Sequence, residues 1–193
     1  MNAKHIDEPN SKKSAAKRNR VFLFGIDGAP PELLFGEWLP FLPTIRSLME
    51  KGCYARLNST IPPITIGAWN AMLSGKDLSE VGVFSYTYKD STGTTKISDS
   101  SLIQVPLVWD YLGEQKKKTI ALYVPLSYPV KPITGVMVSD FLTPGMNSNC
   151  AYPERIKEKL KEYGTMYGPP DEKGNKEFLF DVAVGLAGHK GME

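Results

Sequence analysis

Apolar residues occur along the chain in short runs and helical repeats, separated by turns rich in Gly and Pro. The first run, residues 21–26 (VFLFGI), is continuously apolar and rich in strand formers, which is typical of a strand buried on both faces of a parallel sheet. It ends abruptly at Asp27. Residues 42–52 then place apolar side chains at helical spacing, with Pro43 in the first turn and Gly52 as the stop. The first predicted unit is therefore strand, loop and helix.

The middle of the chain contains a second junction between a loop and a helix. Residues 53–59 predict a short extended segment, which the Pro62-Pro63 pair interrupts. A helix is predicted to begin near Thr65 and to close at Gly75. The polar, turn-rich run over 89–101 predicts an exposed hairpin or loop.

The same alternation continues further along the chain. Helices are predicted over residues 106–114 and 153–163, and buried strands over 119–124 and 135–139. Alternating helices and strands indicate an α/β layered fold.

Length and composition support a globular protein with one sizeable core, since 41% of the 193 residues are hydrophobic. The formal net charge of +2 is too small to indicate a nucleic-acid or membrane surface. The local excess of Lys and Arg lies in residues 1–19, which have few apolar partners. We interpret them as a flexible basic tail; a targeting or anionic-surface arm is the alternative. Residues 20–193 would form the folded part.

The chain lacks the apolar core of a secretory signal, and no stretch approaches the ~20 apolar residues that span a membrane. Cys53 and Cys150 are the only cysteines and form no CxxC motif, so neither a disulfide framework nor a cysteine-based zinc site is predicted. A cytoplasmic location is the expectation.

Asp27 directly follows the first predicted strand. Ligands of open α/β sheets bind outside the carboxyl ends of the strands, so a carboxylate there is placed to hold a cation. Gly28 would allow backbone or phosphate to approach closely. The alternative is that Asp27-Gly28 is simply a turn, the usual meaning of this dipeptide.

Thr65 opens the predicted helix, where backbone amides and the helix dipole favour anionic oxygens. A threonine hydroxyl needs a base or a metal ion to become a good nucleophile, and no histidine is nearby in sequence. A metal ion is therefore the expected activator. The alternative is that Thr65 is only a helix N-cap.

Together these segments carry a family resemblance. The runs VFLFGIDGAPPELL, LPTIRSLMEKG and STIPPITIGAWNAMLSGK, followed by PLVWDYLGEQKKKTIALYVPLSYPVKPITGVMVSDFLTP, resemble the type I phosphodiesterase and nucleotide pyrophosphatase family. This family belongs to the alkaline phosphatase superfamily. The resemblance covers residues 20 to 163 in the right order, which is more specific than any single motif.

The resemblance implies a layered α/β/α fold with a mostly parallel central sheet. It also implies two divalent metal ions, commonly zinc. Asp27 would be a ligand of one ion, and Thr65 would contact both. Thr65 would be the nucleophile on a small-molecule phosphodiester or pyrophosphate, forming a phosphothreonine-type intermediate. The identity of the substrate and the oligomeric state stay open.

The chain also departs from the family pattern. Ala68 stands where many relatives carry a phosphate-binding asparagine, and Val81-Gly82 stands where many carry His-Gly. The family's further metal-binding Asp and His residues, including an Asp-His pair, are missing from this sequence. His5 lies in the predicted tail, and His189 is predicted to be a surface residue.

Three hypotheses follow from these observations. In the first, the chain is the amino-terminal part of a phosphodiesterase catalytic domain, with its metal site incompletely liganded and hydrolysis by the chain alone in doubt. In the second, it is a non-catalytic module that binds a phosphorylated ligand. In the third, the same fold catalyses sulfate-ester hydrolysis or phosphomutase chemistry; sulfatases, however, use a modified Cys or Ser, and position 65 is neither.

Overall fold

The computed structural model describes residues 20–162 of the chain. The predicted tail over residues 1–19, His5 and His189 lie outside the described residues. Between these bounds the chain forms a mixed α/β structure with two small sheets, which confirms the α/β class. None of the helices formed by residues 20–162 has the length and apolar character needed to span a bilayer.

Three helical segments lie in the amino-terminal part of the described chain. A π-helical turn, Leu33–Glu37, and a 3-10 turn, Leu39–Phe41, lead into helix α1, Pro43–Lys51. Pro43 occupies the first turn of α1 as predicted, where its missing N–H has no helical partner to lose. The N–H of Gly52 closes the helix on the carbonyl of Leu48 at 2.8 Å.

The prediction of a strand over residues 21–26 is wrong. The segment has no regular secondary structure, and its apolar side chains are exposed, with Val21 96% and Phe22 86% accessible. A continuous apolar run indicates that a segment favours burial, but it does not specify which strand would pair with it. Residues 53–59 are likewise irregular and exposed.

The central part of the chain contains helix α2, Thr65–Ser74, and helix α3, Leu78–Val81. Gly75 ends α2 in the left-handed conformation with φ +68°, so both predicted bounds of α2 are confirmed. Strands β1, Thr87–Lys89, and β2, Thr95–Ile97, then pair antiparallel. They form the exposed hairpin that the polar run predicted.

The remaining elements build the larger sheet. They are helix α4, Val108–Glu114, strands β3, Thr119–Leu122, β4, Gly135–Val138, and β5, Ala151–Tyr152, and helix α5, Ile156–Glu162. The strand order is β3-β4-β5, with β3 and β4 parallel and β4 and β5 antiparallel. The predicted helices and strands of this half are therefore present; α4 and α5 begin later than predicted, and β3 and β4 end earlier. A mostly parallel central sheet is not what the described residues form.

Helix α2 is anchored in the apolar core along one face. Ile66 is fully buried against α3 and the loop after β3, and Leu73 packs with residues of α4, β3 and β4. These positions are separated by seven residues, which places them on the same face of a helix. The core therefore fixes how α2 is rotated and where its first residue lies.

Two buried polar side chains hold the loop that follows β3. The amide of Asn70 on α2 donates to the carbonyls of Ile66 at 2.7 Å and Pro125 at 3.3 Å. The fully buried carboxylate of Asp140, just beyond β4, accepts from the backbone N–H groups of Leu126, of Ser127 at 3.3 Å and of Leu142 at 3.0 Å. The carboxyl ends of β3 and β4 are thus tied together beside α2.

We expect Asp140→Asn to change how stability depends on pH. Burial outweighs these three amides and raises the pKa of Asp140 above its ordinary value of 3.8. The folded state therefore holds the proton more tightly than the unfolded state, so Asp140 contributes stability at low pH that is lost as the pH rises from 3.8 through the raised pKa. Urea unfolding across this interval should show the native protein losing stability relative to Asp140→Asn. If the difference in unfolding free energy between the two proteins stayed constant with rising pH, or grew in favour of the native protein, this expectation would be contradicted.

Candidate functional site

Asp27 lies at the end of the exposed apolar segment, in a turn with Gly28. Gly28 has φ +65°, a conformation that favours glycine, so the interpretation of Asp27-Gly28 as a turn is confirmed. The Asp27 carboxylate makes no hydrogen bond to the backbone of this turn. Both oxygens of Asp27 instead accept hydrogen bonds from α2.

Thr65 is the first residue of α2, and its hydroxyl is directed at Asp27. The Oγ1 hydroxyl donates to Oδ2 of Asp27 at 3.3 Å, across 38 residues of sequence. The interpretation of Thr65 as an N-cap is wrong, because Ile64 holds the cap position and no side chain caps this helix. The structure therefore brings together the two residues that the sequence singled out.

Trp69 is a third member of this cluster, and sequence reasoning missed it. Its indole Nε1 donates to Oδ1 of Asp27 at 3.2 Å. Trp69 follows Thr65 by four residues, so both side chains project from the same face of α2. The signal that could have identified Trp69 is its four-residue spacing from Thr65, on a helix that follows a candidate carboxylate in the sequence.

Gly25 lies directly against the ring of Trp69. A Cβ atom at position 25 would come within 1.9 Å of Cη2 of Trp69 and within 2.6 Å of Cζ3. Glycine is therefore required for the apolar segment to pass this close to α2. The contact places Asp27, two residues further on, beside Thr65.

The start of α2 also offers backbone donors. The first helical hydrogen bond runs from Ala68 N–H to the carbonyl of Ile64 at 2.9 Å, so the amides of residues 65–67 have no partner within the helix. Because no side chain caps this end, the amides and the helix dipole favour an anion near Thr65. Ala68 contributes no polar side chain.

Val81, at the position where the resemblance implies a histidine, belongs to the core in this chain. Val81 is fully buried and packs with Ile66 and Leu126. Gly82, which follows it, adopts φ +85° and ends α3. This departure from the family pattern is therefore accommodated by packing.

The described residues include two candidate metal ligands, Asp27 and Thr65. The Thr65 hydroxyl oxygen and Oδ2 of Asp27 lie 3.3 Å apart, and oxygen atoms of this kind suit a hard or borderline cation. Among residues 20–162, no group of three or more His, Cys, Asp and Glu side chains is arranged to hold a metal ion. Asp140 also follows a strand, but backbone amides occupy its carboxylate. Among the described residues, the candidate ligands are therefore limited to these two.

The start of α2 thus combines a hydroxyl, a carboxylate and backbone amides that have no partner within the helix. The family model of type I phosphodiesterase / nucleotide pyrophosphatase matches residues 21–179. The chain belongs to this family, as the sequence resemblance predicted. Comparison with curated proteins and with solved structures found no match.

Proposed function

We propose that this chain hydrolyses phosphodiester or pyrophosphate bonds of small-molecule phosphoesters, with Thr65 as the nucleophile. The observation that carries the proposal is the contact between the Thr65 hydroxyl and the Asp27 carboxylate at the uncapped start of α2. Membership of a family of phosphodiesterases and nucleotide pyrophosphatases supports the reaction class.

The reaction would run in two displacements. The Thr65 oxygen loses its proton to water and forms a bond to phosphorus, while the bond to the leaving oxygen breaks and that oxygen takes up a proton from water. A second water molecule then cleaves the phosphothreonine, which releases the phosphate and restores the Thr65 hydroxyl. Oδ2 of Asp27 accepts the hydroxyl hydrogen bond, so it orients the lone pairs of the attacking oxygen. The free amides of residues 65–67 would stabilise negative charge on the phosphoryl oxygens.

Two divalent metal ions, with zinc as the expected species, belong to this proposal. Asp27 and Thr65 are the described residues that would hold them, and further ligands are not found among residues 20–162. When bound, such ions favour ionisation of a hydroxyl and neutralise charge on phosphate. We also propose that the described elements belong to a layered α/β/α arrangement built on a mostly parallel sheet.

The alternative function is a module that binds a phosphorylated ligand without cleaving it. The observations that favour it are the limitation to two candidate metal ligands among residues 20–162 and the position of Val81 in the core, where the resemblance implies a histidine. Binding would use the same amides at the start of α2, whereas only hydrolysis requires the Thr65 hydroxyl. The two functions therefore predict different behaviour at position 65.

Replacing Thr65 with Ala should abolish hydrolysis of a chromogenic phosphodiester by the full chain in the presence of zinc. Loss of a nucleophile lowers kcat by orders of magnitude, whereas Thr65→Ser should retain part of the rate because it keeps a hydroxyl. Thr87→Ala, in the exposed strand β1, is the matched control and should have the native rate. Equal rates for native protein and Thr65→Ala would exclude the nucleophile, and an inactive native protein that still binds the phosphoester would favour the binding module.

Zinc should raise the thermal stability of the native protein, because a ligand that binds only the folded state stabilises it by about 2.7 kcal/mol at a hundredfold excess over Kd. Asp27→Asn removes the negative charge and should cancel the shift. Glu50→Gln removes one exposed carboxylate of α1 and should leave it unchanged. A zinc-induced shift that persists in Asp27→Asn would mean that the metal binds elsewhere.

A further inference from the structure

We propose that Trp69 is a positioning residue of this site, whose indole N–H holds one oxygen of Asp27 so that the other faces Thr65. This inference deepens the proposed function and rests on it. Trp69 would not touch the reacting phosphorus; it would act through Asp27.

The two oxygens of Asp27 have different donors. Oδ1 accepts from the indole Nε1 of Trp69 at 3.2 Å, and Oδ2 accepts from the hydroxyl of Thr65 at 3.3 Å. The terminal torsion of an aspartate is broad, so a single hydrogen bond leaves the plane of the carboxylate free to turn. Two donors one helical turn apart fix both the plane and the identity of the oxygen beside Thr65.

This fixation matters because Asp27 is exposed to solvent. An exposed carboxylate with one partner exchanges that partner readily for water, and the geometry of the pair is lost. The large, rigid indole of Trp69 loses little conformational freedom when it is held in place. Gly25 against its ring and the buried face of α2 restrain it further.

Comparison of the three tryptophans of the chain supports a specific role for this hydrogen bond. Trp109 is buried in the core, and among the described residues its indole nitrogen has no hydrogen-bond partner. Trp38 lies 45% exposed beside the amino-terminal turns. Packing in this protein therefore does not by itself require an indole hydrogen bond, whereas Trp69 directs its N–H at a charged group.

The first test needs no metal and no substrate. In the proton–nitrogen NMR spectrum of the native chain, the indole N–H resonance of Trp69 should move and exchange faster with water when Asp27 is replaced by Ala. The indole resonances of Trp38 and Trp109 should stay in place. Gly25→Ala should move the Trp69 resonance in the same way, because its new methyl group displaces the ring, whereas Gly36→Ala has open space and serves as the control. An unmoved Trp69 resonance in Asp27→Ala would overturn the proposal.

The second test measures the consequence for the reaction. Trp69→Phe keeps an aromatic ring but removes the indole donor together with part of the ring that lies against Gly25, so we expect kcat for the phosphodiester to fall about 10- to 100-fold, as for other residues that orient a ligand, with KM little changed. Trp38→Phe should keep the native rate. An unchanged kcat in Trp69→Phe would overturn the positioning role even if Thr65 proved essential. If the native chain did not hydrolyse the ester, the proposed function would fail, while the NMR result would still decide whether Trp69 orients Asp27.

Discussion

The burial of one face of α2 is the constraint on which the site depends. Ile66, Asn70 and Leu73 turn inward, and the amide of Asn70 joins the helix to the loop after β3. Because these contacts fix the rotation of the helix, the adjacent face must carry Thr65 and Trp69 towards Asp27. The apolar core thus determines which hydroxyl meets the carboxylate, although no core residue takes part in the proposed chemistry.

The site itself is built from weak interactions that act together. Each hydrogen bond to Asp27 is exposed or half-exposed, and one such bond contributes on the order of 1 kcal/mol. Two donors on one rigid helix meet the carboxylate together, so the entropic cost of ordering it is shared. The close approach of Gly25 to Trp69 completes this arrangement from the other side.

Local sequence signals predicted much of this structure. The bounds of α2 follow from the Pro62-Pro63 breaker and Gly75, and the β1–β2 hairpin follows from its polar, turn-rich run. Asp27 and Thr65 were both identified from their positions after an apolar run and at a helix start. The features that the sequence did not predict depend on contacts between residues that are distant along the chain. Hydrophobicity could not show that residues 21–26 form no strand, and the hydrogen bond from Trp69 spans 42 residues. The burial of Asp140 depends on loops that only the fold brings together.

The proposed reaction depends on attack of Thr65 on phosphorus, which leaves Thr65 covalently modified. The most direct measurement is to mix the full chain with zinc and a phosphodiester, quench during turnover, digest the protein and map adducts by mass spectrometry. We predict a phosphoryl-type adduct on Thr65 that disappears when the substrate is exhausted. Turnover without an adduct, or with an adduct on another residue, would contradict the mechanism.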